Sequence, residues 1–260
     1  MNLQLQDKIV IVTGGAKGIG RGIALMLAKE GATAVIIGRC EADNQNAVAD
    51  IRLAGGKAWQ VVAELTCPES CARAVKEITG EFGRIDGLVN NAGVNDGVGL
   101  VNGNYEQFLA SLHKNLVHYY LVAQAALPEL IKSKGAILNI SSKTADTGQG
   151  GTSGYAASNG GRNALTREWA VELLPYGIRV NAIIVAECWT PLYESWISTV
   201  PDPDAKLKAI VNKIPFGKRM TTVEEIAATA VFLLSAVSSH TTGQLIYVDG
   251  GYTHLDRTLS

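Results

Sequence analysis

The chain has 260 residues, of which 47% are apolar and 18% charged, and its formal net charge is −1. This length is enough for one or two domains with a buried core, and the apolar content excludes a disordered chain. The near-zero charge argues against a surface that binds nucleic acid. The longest apolar runs, such as residues 23–28, are far shorter than the roughly 20 residues of a membrane-spanning helix.

The sequence begins without the charged and apolar segments of a secretion signal. Its four cysteines are Cys40, Cys67, Cys71 and Cys188, and they form no C-x-x-C pair. No spacing of cysteine and histidine suits a zinc site. We therefore expect a cytoplasmic protein with reduced thiols, no bound metal, and no nucleic-acid or membrane partner.

Seven short apolar segments alternate with helical patterns along the chain. The predicted strands are residues 9–12, 34–37, 58–63, 85–89, 136–140, 178–184 and 245–248. The predicted helices are residues 19–30, 41–53, a helix from Pro68, a long helix over about 105–133, one over about 154–174, and one from the capping box at 222–225 to Leu234. Repeated β-α units of this kind predict an α/β fold with a doubly wound parallel sheet, covered by helices on both faces.

Residues 187–216 separate the sixth strand from the last helix and contain the prolines Pro191, Pro201, Pro203 and Pro215. Such a long irregular stretch in a compact domain is usually a lid or a binding loop. No linker, repeat or charge block divides the chain. We therefore expect a single domain over residues 1–260, with a lid near 187–216.

Glycines follow the first predicted strand in the order Thr13-Gly-Gly-Ala-Lys-Gly-Ile-Gly20. Gly14 permits a tight turn, Gly18 lets the backbone approach a pyrophosphate, and Gly20 permits close packing of the helix on the strand. Ile19 opens the helix, whose N-terminus offers free N–H groups to phosphate. Three glycines alone could form a plain turn, but their place between the first strand and the first helix predicts dinucleotide binding.

The residues after the second strand select between NAD and NADP. An acidic residue there would bind the ribose 2′-hydroxyl of NAD. The sequence instead has Arg39 after the strand and Lys17 in the glycine loop. Two cations suit a 2′-phosphate, although both could also be plain surface residues. NADP is therefore the expected cofactor, with NAD as a tolerated second one.

Several motifs together resemble the short-chain dehydrogenase/reductase family. They are the glycine spacing, Asn90-Asn-Ala-Gly93 after the fourth strand, Ser142 with Tyr155 thirteen residues later, Arg179-Val-Asn-Ala182 and Val248-Asp-Gly-Gly251. The resemblance covers essentially the whole chain and implies an NAD(P)-dependent oxidoreductase with a Rossmann-type fold, assembled as a homotetramer. It also implies further cofactor contacts, at Glu64 and Leu65 beside the adenine and at Asn91, Ala92, Gly93, Cys188 and Thr190.

The resemblance assigns the chemistry to a tyrosine, a serine, a lysine and an asparagine. Tyr155 matches the acid/base, and Ser142 matches the residue that polarises the reacting oxygen. Asn115, in the middle of the long helix, matches the asparagine that holds a water linking the site to solvent. Ser142 follows the fifth strand, at the sheet edge where open α/β proteins bind their ligands.

The chain departs from this pattern at position 159. The family motif Tyr-x-x-x-Lys is here Tyr155-Ala-Ala-Ser-Asn159. Since residues i and i+4 share a helix face, we expect Asn159 to face the site and bond the cofactor ribose. Its amide cannot supply a positive charge, which at ~5 Å would stabilise a phenolate by roughly 3 kcal/mol. We therefore expect Asn159→Lys to raise the rate near neutral pH, unless Lys143 already compensates.

Polar side chains surround these motifs and form the expected substrate site. The candidates are Asn95, Asp96, Ser142, Lys143, Gln149, Tyr155, Glu187 and Trp189. A pocket for a steroid or a long acyl chain would be mainly apolar, so this set favours a polyol. Loops are also polar for solvation alone, and that simpler interpretation stays open.

Four segments are similar to those of the L-fucose dehydrogenases within this family: residues 142–145, 187–193, 238–244 and 251–257. That similarity implies oxidation of the anomeric hydroxyl of a 6-deoxy sugar to its lactone. Two other interpretations remain. A carbonyl reductase of acyl or steroid substrates would be favoured by an apolar lid, and an NADP(H)-binding protein without turnover would be favoured by Asn159.

Overall fold

The computed structural model describes residues 2–255, so Asp256 and Arg257 lie outside it. Its strands are β1 (Ile9–Thr13), β2 (Thr33–Gly38), β3 (Lys57–Val62), β4 (Gly87–Asn90), β5 (Ala136–Ser142), β6 (Arg179–Val185) and β7 (Leu245–Val248). Its α-helices are α1 (Gly18–Lys29), α2 (Glu41–Leu53), α3 (Pro68–Phe82), α4 (Tyr105–Leu112), α5 (His118–Ser133), α6 (Ser153–Glu172), α7 (Pro191–Ile197), α8 (Pro203–Val211) and α9 (Val223–Leu234). None of the helices within residues 2–255 is long and apolar enough to cross a membrane.

The strands form one parallel sheet in the order β3-β2-β1-β4-β5-β6-β7. Buried apolar side chains make a separate cluster on each face of this sheet. One cluster packs under α1, α2 and α9, and the other under α3, α5 and α6. The expected single α/β fold of Rossmann type, with seven parallel strands between two helical layers, is confirmed.

The strand order reverses between β1 and β4. From this point the chain is wound outward in both directions, so a crevice opens at the carboxyl ends of the two central strands. Thr13, Asn90 and Ser142 end β1, β4 and β5 along this edge. The loops that follow these residues carry the candidate site.

The long helix expected over 105–133 is interrupted by a π-helical turn at His113–Val117, between α4 and α5. A π turn shifts the hydrogen bonds to i→i+5, so a backbone carbonyl can lose its helical donor there. Asn115 lies inside this turn and is fully buried. The interruption therefore falls on a residue that the sequence assigned to the site.

The segment 187–216 contains α7 and α8 where an irregular stretch was expected. These helices begin with Pro191 and Pro203, directly after the residues that cap them. Thr190 Oγ1 accepts from the Tyr193 backbone N–H at 3.2 Å, and the Asp202 carboxylate accepts in the same way one helix later. Two prolines of the segment thus start helices, since proline suits the first helical position.

Candidate active site

The glycine loop joins β1 to α1 where the strand order reverses. Gly14 and Gly18 have φ values of +64° and +52°, a left-handed backbone that favours glycine. A side chain at Gly20 would place its Cβ 2.3 Å from the Gly14 carbonyl oxygen. No side chain caps the first N–H groups of α1. The loop therefore forms a tight cradle, with the positive end of a helix at the carboxyl edge of the sheet.

Thr13 and Asn91 hold the glycine loop against the end of β4. The fully buried Thr13 hydroxyl accepts from the backbone N–H groups of Asn91 at 2.9 Å and Ala92 at 3.2 Å. The Asn91 amide donates to the carbonyls of Thr13 at 2.9 Å and Gly14 at 3.3 Å. These bonds place the Asn91–Gly93 motif beside the loop. Sequence analysis gave Thr13 no role, although a hydroxyl between an apolar strand and a glycine loop was a usable signal.

The cations expected to select NADP lie near an acidic residue that sequence analysis overlooked. Lys17 Nζ pairs with Asp43, in the first turn of α2, at 2.7 Å. Both side chains are partly exposed, so the pair adds little stability and can exchange partners. Arg39 is exposed after β2. The Glu64 carboxylate accepts from the Thr66 backbone N–H at 3.0 Å, and this bond, with the charge of Arg39, lowers the pKa of Glu64.

Leu65 follows Glu64 and is buried. On the other side of the cleft, Thr190 begins the lid next to the glycine loop, because a side chain at Gly18 would meet Thr190 at 3.4 Å. Cys188 is buried, and burial raises the pKa of its thiol to about 12. The Cys188 side chain therefore belongs to the core, and only its backbone remains for a cofactor contact.

Ser142 and Tyr155 flank the cleft from β5 and α6. The Ser142 hydroxyl is nearly buried and accepts from the Thr144 backbone N–H at 3.3 Å. Tyr155 is partly exposed in the first turn of α6. The Gly154 N–H donates to the Val98 carbonyl at 3.1 Å, which fixes the start of this helix against the loop before α4. Serine and tyrosine are thus set on a strand end and a helix start that packing holds in place.

Asn159 does not present its amide to the cleft. The residue is fully buried, and its Nδ2 donates to the Tyr155 carbonyl at 2.8 Å and to Thr144 Oγ1 at 3.4 Å. Its Oδ1 accepts from Arg162 Nη1 at 2.9 Å. Both atoms of the Asn159 amide are thus engaged within the protein, whereas the sequence predicted that this amide binds the cofactor ribose.

Arg162 is the main site residue that sequence analysis missed. It is 3% exposed, and its Nε donates at 2.7 Å to the carbonyl of Asn115 in the π turn. The Asn115 amide itself accepts from the Val94 N–H at 2.7 Å. The backbone carbonyl and the side-chain oxygen of Asn115 are thus both bonded within the protein. The signal was an arginine seven residues, or two turns, after Tyr155 and hence on the same helix face.

Two of the expected substrate residues meet under the lid. Lys143 and Glu187 form an ion pair whose side chains are only 10% and 13% exposed. Lys143 Nζ also lies 4.0 Å from the centroid of the Tyr252 ring. Burial, together with the charge of Glu187, raises the pKa of the Tyr193 phenol. A charged pair and aromatic rings therefore share one wall of the cleft, and Lys143 has its own counter-ion.

The other expected substrate residues are placed apart from this pair. Asp96 accepts from the Ser111 hydroxyl at 2.8 Å and pairs with Lys114 at 3.5 Å, so it is tied to α4 and the π turn. Asn95 and Gln149 are exposed on loops. The exposed Trp189 ring lies tilted by 43° against Tyr193 in the lid, with ring centroids 5.9 Å apart.

The position of Asn159 reverses the expectation for a restored lysine. Asn159→Lys replaces an acceptor of Arg162 by a second buried cation. We expect the free energy of unfolding to fall by at least about 2 kcal/mol in urea denaturation, and the rate at neutral pH not to rise. Asn159→Ala is the matched control, since it loses the same bonds without adding charge and should be the more stable variant. A lysine variant as stable as the alanine variant would contradict this account.

Comparison with known proteins places the whole chain among oxidoreductases. A family model described as enoyl-(acyl carrier protein) reductase matches residues 14–253. The 3-oxoacyl-[acyl-carrier-protein] reductase FabG of Thermotoga maritima is 36% identical over 251 residues, which cover 96% of this chain and 99% of the relative. The L-fucose dehydrogenase of Bos taurus is 36% identical over 252 residues, covering 96% and 91%. The crystal structure of Cj0485 dehydrogenase aligns with a TM-score of 0.94 at 44% identity, covering 100% of this chain and 99% of that one.

Proposed function

The chain belongs to the short-chain dehydrogenase/reductase family, and from this premise we propose that it oxidises the anomeric hydroxyl of L-fucose, or of a similar aldose, to the lactone with NADP as the preferred cofactor. Family members act on CH–OH or carbonyl groups and bind NAD(P). The observation that carries the sugar assignment is the nearly buried Lys143–Glu187 pair, since Lys143 directly follows Ser142.

A sugar suits this wall of the cleft better than an apolar molecule. An ammonium and a carboxylate held side by side offer a donor and an acceptor to neighbouring hydroxyl groups. The ring of Tyr252 beside Lys143 supplies an apolar face for the C–H groups of a pyranose. A steroid or acyl chain would remove the remaining water from the pair without replacing its hydrogen bonds, at a cost of several kcal/mol. The similarity to L-fucose dehydrogenases supports the same substrate class.

The residues present fit a dinucleotide phosphate. Side chains at Gly14 and Gly20 would collide with Asn91 and with the loop itself, so the glycines permit the tight turn that would hold a pyrophosphate at the start of α1. Arg39 and Lys17 would hold a 2′-phosphate, with Lys17 exchanging Asp43 for the ligand. When bound, the oxidised nicotinamide would supply the acceptor for the hydride that leaves C1 of the sugar.

The protein's own residues handle the proton and the oxygen. Tyr155, as phenolate, removes the proton of the anomeric hydroxyl. The Ser142 hydroxyl donates a hydrogen bond to the same oxygen while it becomes a carbonyl, and so orients it toward Tyr155. The sugar loses one proton from the anomeric hydroxyl and one hydride from C1. The ring oxygen stays bonded to C1, so the product is the lactone. The proton then passes from Tyr155 to solvent.

Reduction of a ketone in an acyl substrate is the second candidate. The FabG relative is as similar as the fucose enzyme. The exposed side chains of Leu192 and Trp196 in α7 give the lid apolar surface that could cover a chain. This candidate predicts turnover of 3-oxoacyl thioesters rather than aldoses.

Steady-state assay of aldoses and a 3-oxoacyl thioester, with both cofactors at pH 7 and pH 9, tests the assignment. We expect oxidation of L-fucose or a stereochemically similar aldose with NADP. Reduction of the thioester alone would favour the second candidate. Absence of turnover with every substrate, in a protein that still binds NADP, would favour a binding protein without catalysis.

Arg39→Asp tests the cofactor assignment. Loss of a charge-assisted contact should weaken NADP binding by about 1.5–3 kcal/mol, and the new carboxylate should improve NAD binding. Dissociation constants from quenching of tryptophan fluorescence measure both effects. Lys76→Asp, on the exposed face of α3, makes the same change of charge away from the cleft and should alter neither constant. An unchanged ratio of NADP to NAD affinity in the Arg39 variant would remove this assignment.

Glu187→Gln tests the sugar site. The change leaves Lys143 without its counter-ion and replaces one of the two acceptor oxygens by an NH2 donor, so KM for the sugar should rise by roughly 10- to 100-fold, while NADP affinity stays constant. The control is Glu194→Gln, an exposed carboxylate of the same lid. Wild-type kcat/KM for the sugar in the Glu187 variant would argue against a role of the pair in substrate binding.

A further inference from the structure

Arg162 is a buried cation held by neutral groups. Its guanidinium donates to the carbonyls of Asn115 at 2.7 Å and Ile140 at 3.1 Å, and to Asn159 Oδ1 at 2.9 Å. Among the ion pairs of residues 2–255, none includes Arg162. A charge this deeply buried without a carboxylate is expensive. We therefore expect the Arg162 charge to have a function among its neighbours.

The guanidinium lies against the face of α6 that carries Tyr155. Its central carbon is 6.0 Å from the centroid of the Tyr155 ring and 4.3 Å from that of Tyr119. Within the described residues, Nη2 is buried and has no hydrogen-bond partner. A side chain at Gly93 would meet this nitrogen at 2.8 Å. The unpaired donor thus lies between Tyr155 and the Asn-Ala-Gly motif that borders the glycine loop.

The other titratable groups around this position supply no competing positive charge. His118 is buried, and burial with the charge of Arg162 lowers its pKa to about 4, so it is neutral at pH 7. Burial raises the pKa of the Tyr119 phenol, and Arg162 opposes that rise. On the elements packed against α6, Lys143 is paired with Glu187 and Lys114 with Asp96. Arg179 on β6 donates to the Leu233 and Ser235 carbonyls. Within residues 2–255, Arg162 is the cation placed against the Tyr155 ring, and it has no counter-ion.

We propose that Arg162 is a positioning residue for proton transfer, whose buried charge stabilises the phenolate of Tyr155 in place of the lysine absent at position 159. The proposal rests on the proposed dehydrogenase function, because it concerns the base of that reaction. Asn159 belongs to the same arrangement, since its Oδ1 holds Nη1 and its position could not carry a second cation. The π turn also holds the guanidinium, because Arg162 Nε donates to the Asn115 carbonyl inside that turn.

A titration without substrate tests the charge directly. Absorbance near 295 nm is recorded against pH, and the curve of Tyr155→Phe is subtracted to isolate the ionisation of Tyr155. In Arg162→Gln this ionisation should move upward by about one to two pH units, or roughly 10- to 100-fold fewer phenolates at a given pH. Arg162→Lys keeps a charge and should move it far less. Curves of wild type and Arg162→Gln that superimpose would overturn the proposal.

Kinetics with a rescue variant provide the second arm. The rate of alcohol oxidation in Arg162→Gln should need a higher pH by the same one to two units, with little change in cofactor affinity. Asn159→Lys combined with Arg162→Gln returns one cation to the same helix face, and its pH–rate profile should return toward wild type. A double variant no better than Arg162→Gln would contradict a role of charge, since both share the lost arginine contacts.

Circular dichroism and thermal unfolding show which variants fold. If Arg162→Gln is unfolded, the double variant carries the test: a titration curve like wild type supports the proposal, and one shifted upward by one to two units overturns it. Different outcomes test the proposed dehydrogenase function and the role of Arg162. Turnover of no alcohol would contradict the proposed function, whereas the titration of Tyr155 would still decide whether Arg162 stabilises its phenolate.

Discussion

The contact between the glycine loop and the end of β4 is the constraint on which the rest of the site depends. Parallel pairing of β1 with β4 brings Thr13 beside Asn91, and their side chains exchange hydrogen bonds with each other's backbone. Gly20 permits this approach, since any Cβ there would strike the Gly14 carbonyl. The glycine loop and the Asn91–Gly93 motif are therefore parts of one edge. Catalytic groups held on such an edge keep their geometry without a large entropic cost on binding.

The buried polar network around Asn159 shows how neighbouring residues match a departure from a family motif. Buried donors and acceptors must be matched, so replacing a cation by an amide at position 159 changes what its neighbours need. Here Arg162 donates to the Asn159 amide oxygen and also to the Asn115 carbonyl in the π turn. The residues at 159 and 162 form one unit, and neither can be interpreted from its own position alone.

The Lys143–Glu187 pair adjoins this network, since Asn159 bonds Thr144, the residue after Lys143. Lys143 and Glu187 come from the end of β5 and the beginning of the lid, and they neutralise each other under the ring of Tyr252. A lid that contributes one partner of an ion pair is coupled electrostatically to the body of the domain. Binding of a polar substrate and seating of the lid would then depend on the same two side chains.

Local patterns in the sequence predict the fold and the chemical types of the candidate residues. Alternating apolar segments and helical patterns predicted seven strands in a doubly wound sheet, because the periodicity of buried positions is a local property. Glycine spacing predicted the cradle for the same reason. The caps before Pro191 and Pro203 were equally local, and the two lid helices could have been predicted from them.

Which side chains meet depends on tertiary packing. Asp96 has the chemistry of a sugar ligand, but only the fold shows that it bonds Ser111 and pairs with Lys114. Asn159 shares a helix face with Tyr155, but its amide is hydrogen-bonded to Arg162 and to the Tyr155 carbonyl. A side chain forms its hydrogen bonds with the partners that packing brings within reach, and these partners can be far apart in the chain. Sequence spacing does not show which of several partners a buried side chain bonds. The bond between Asn159 and the buried Arg162 is therefore visible only in the structure.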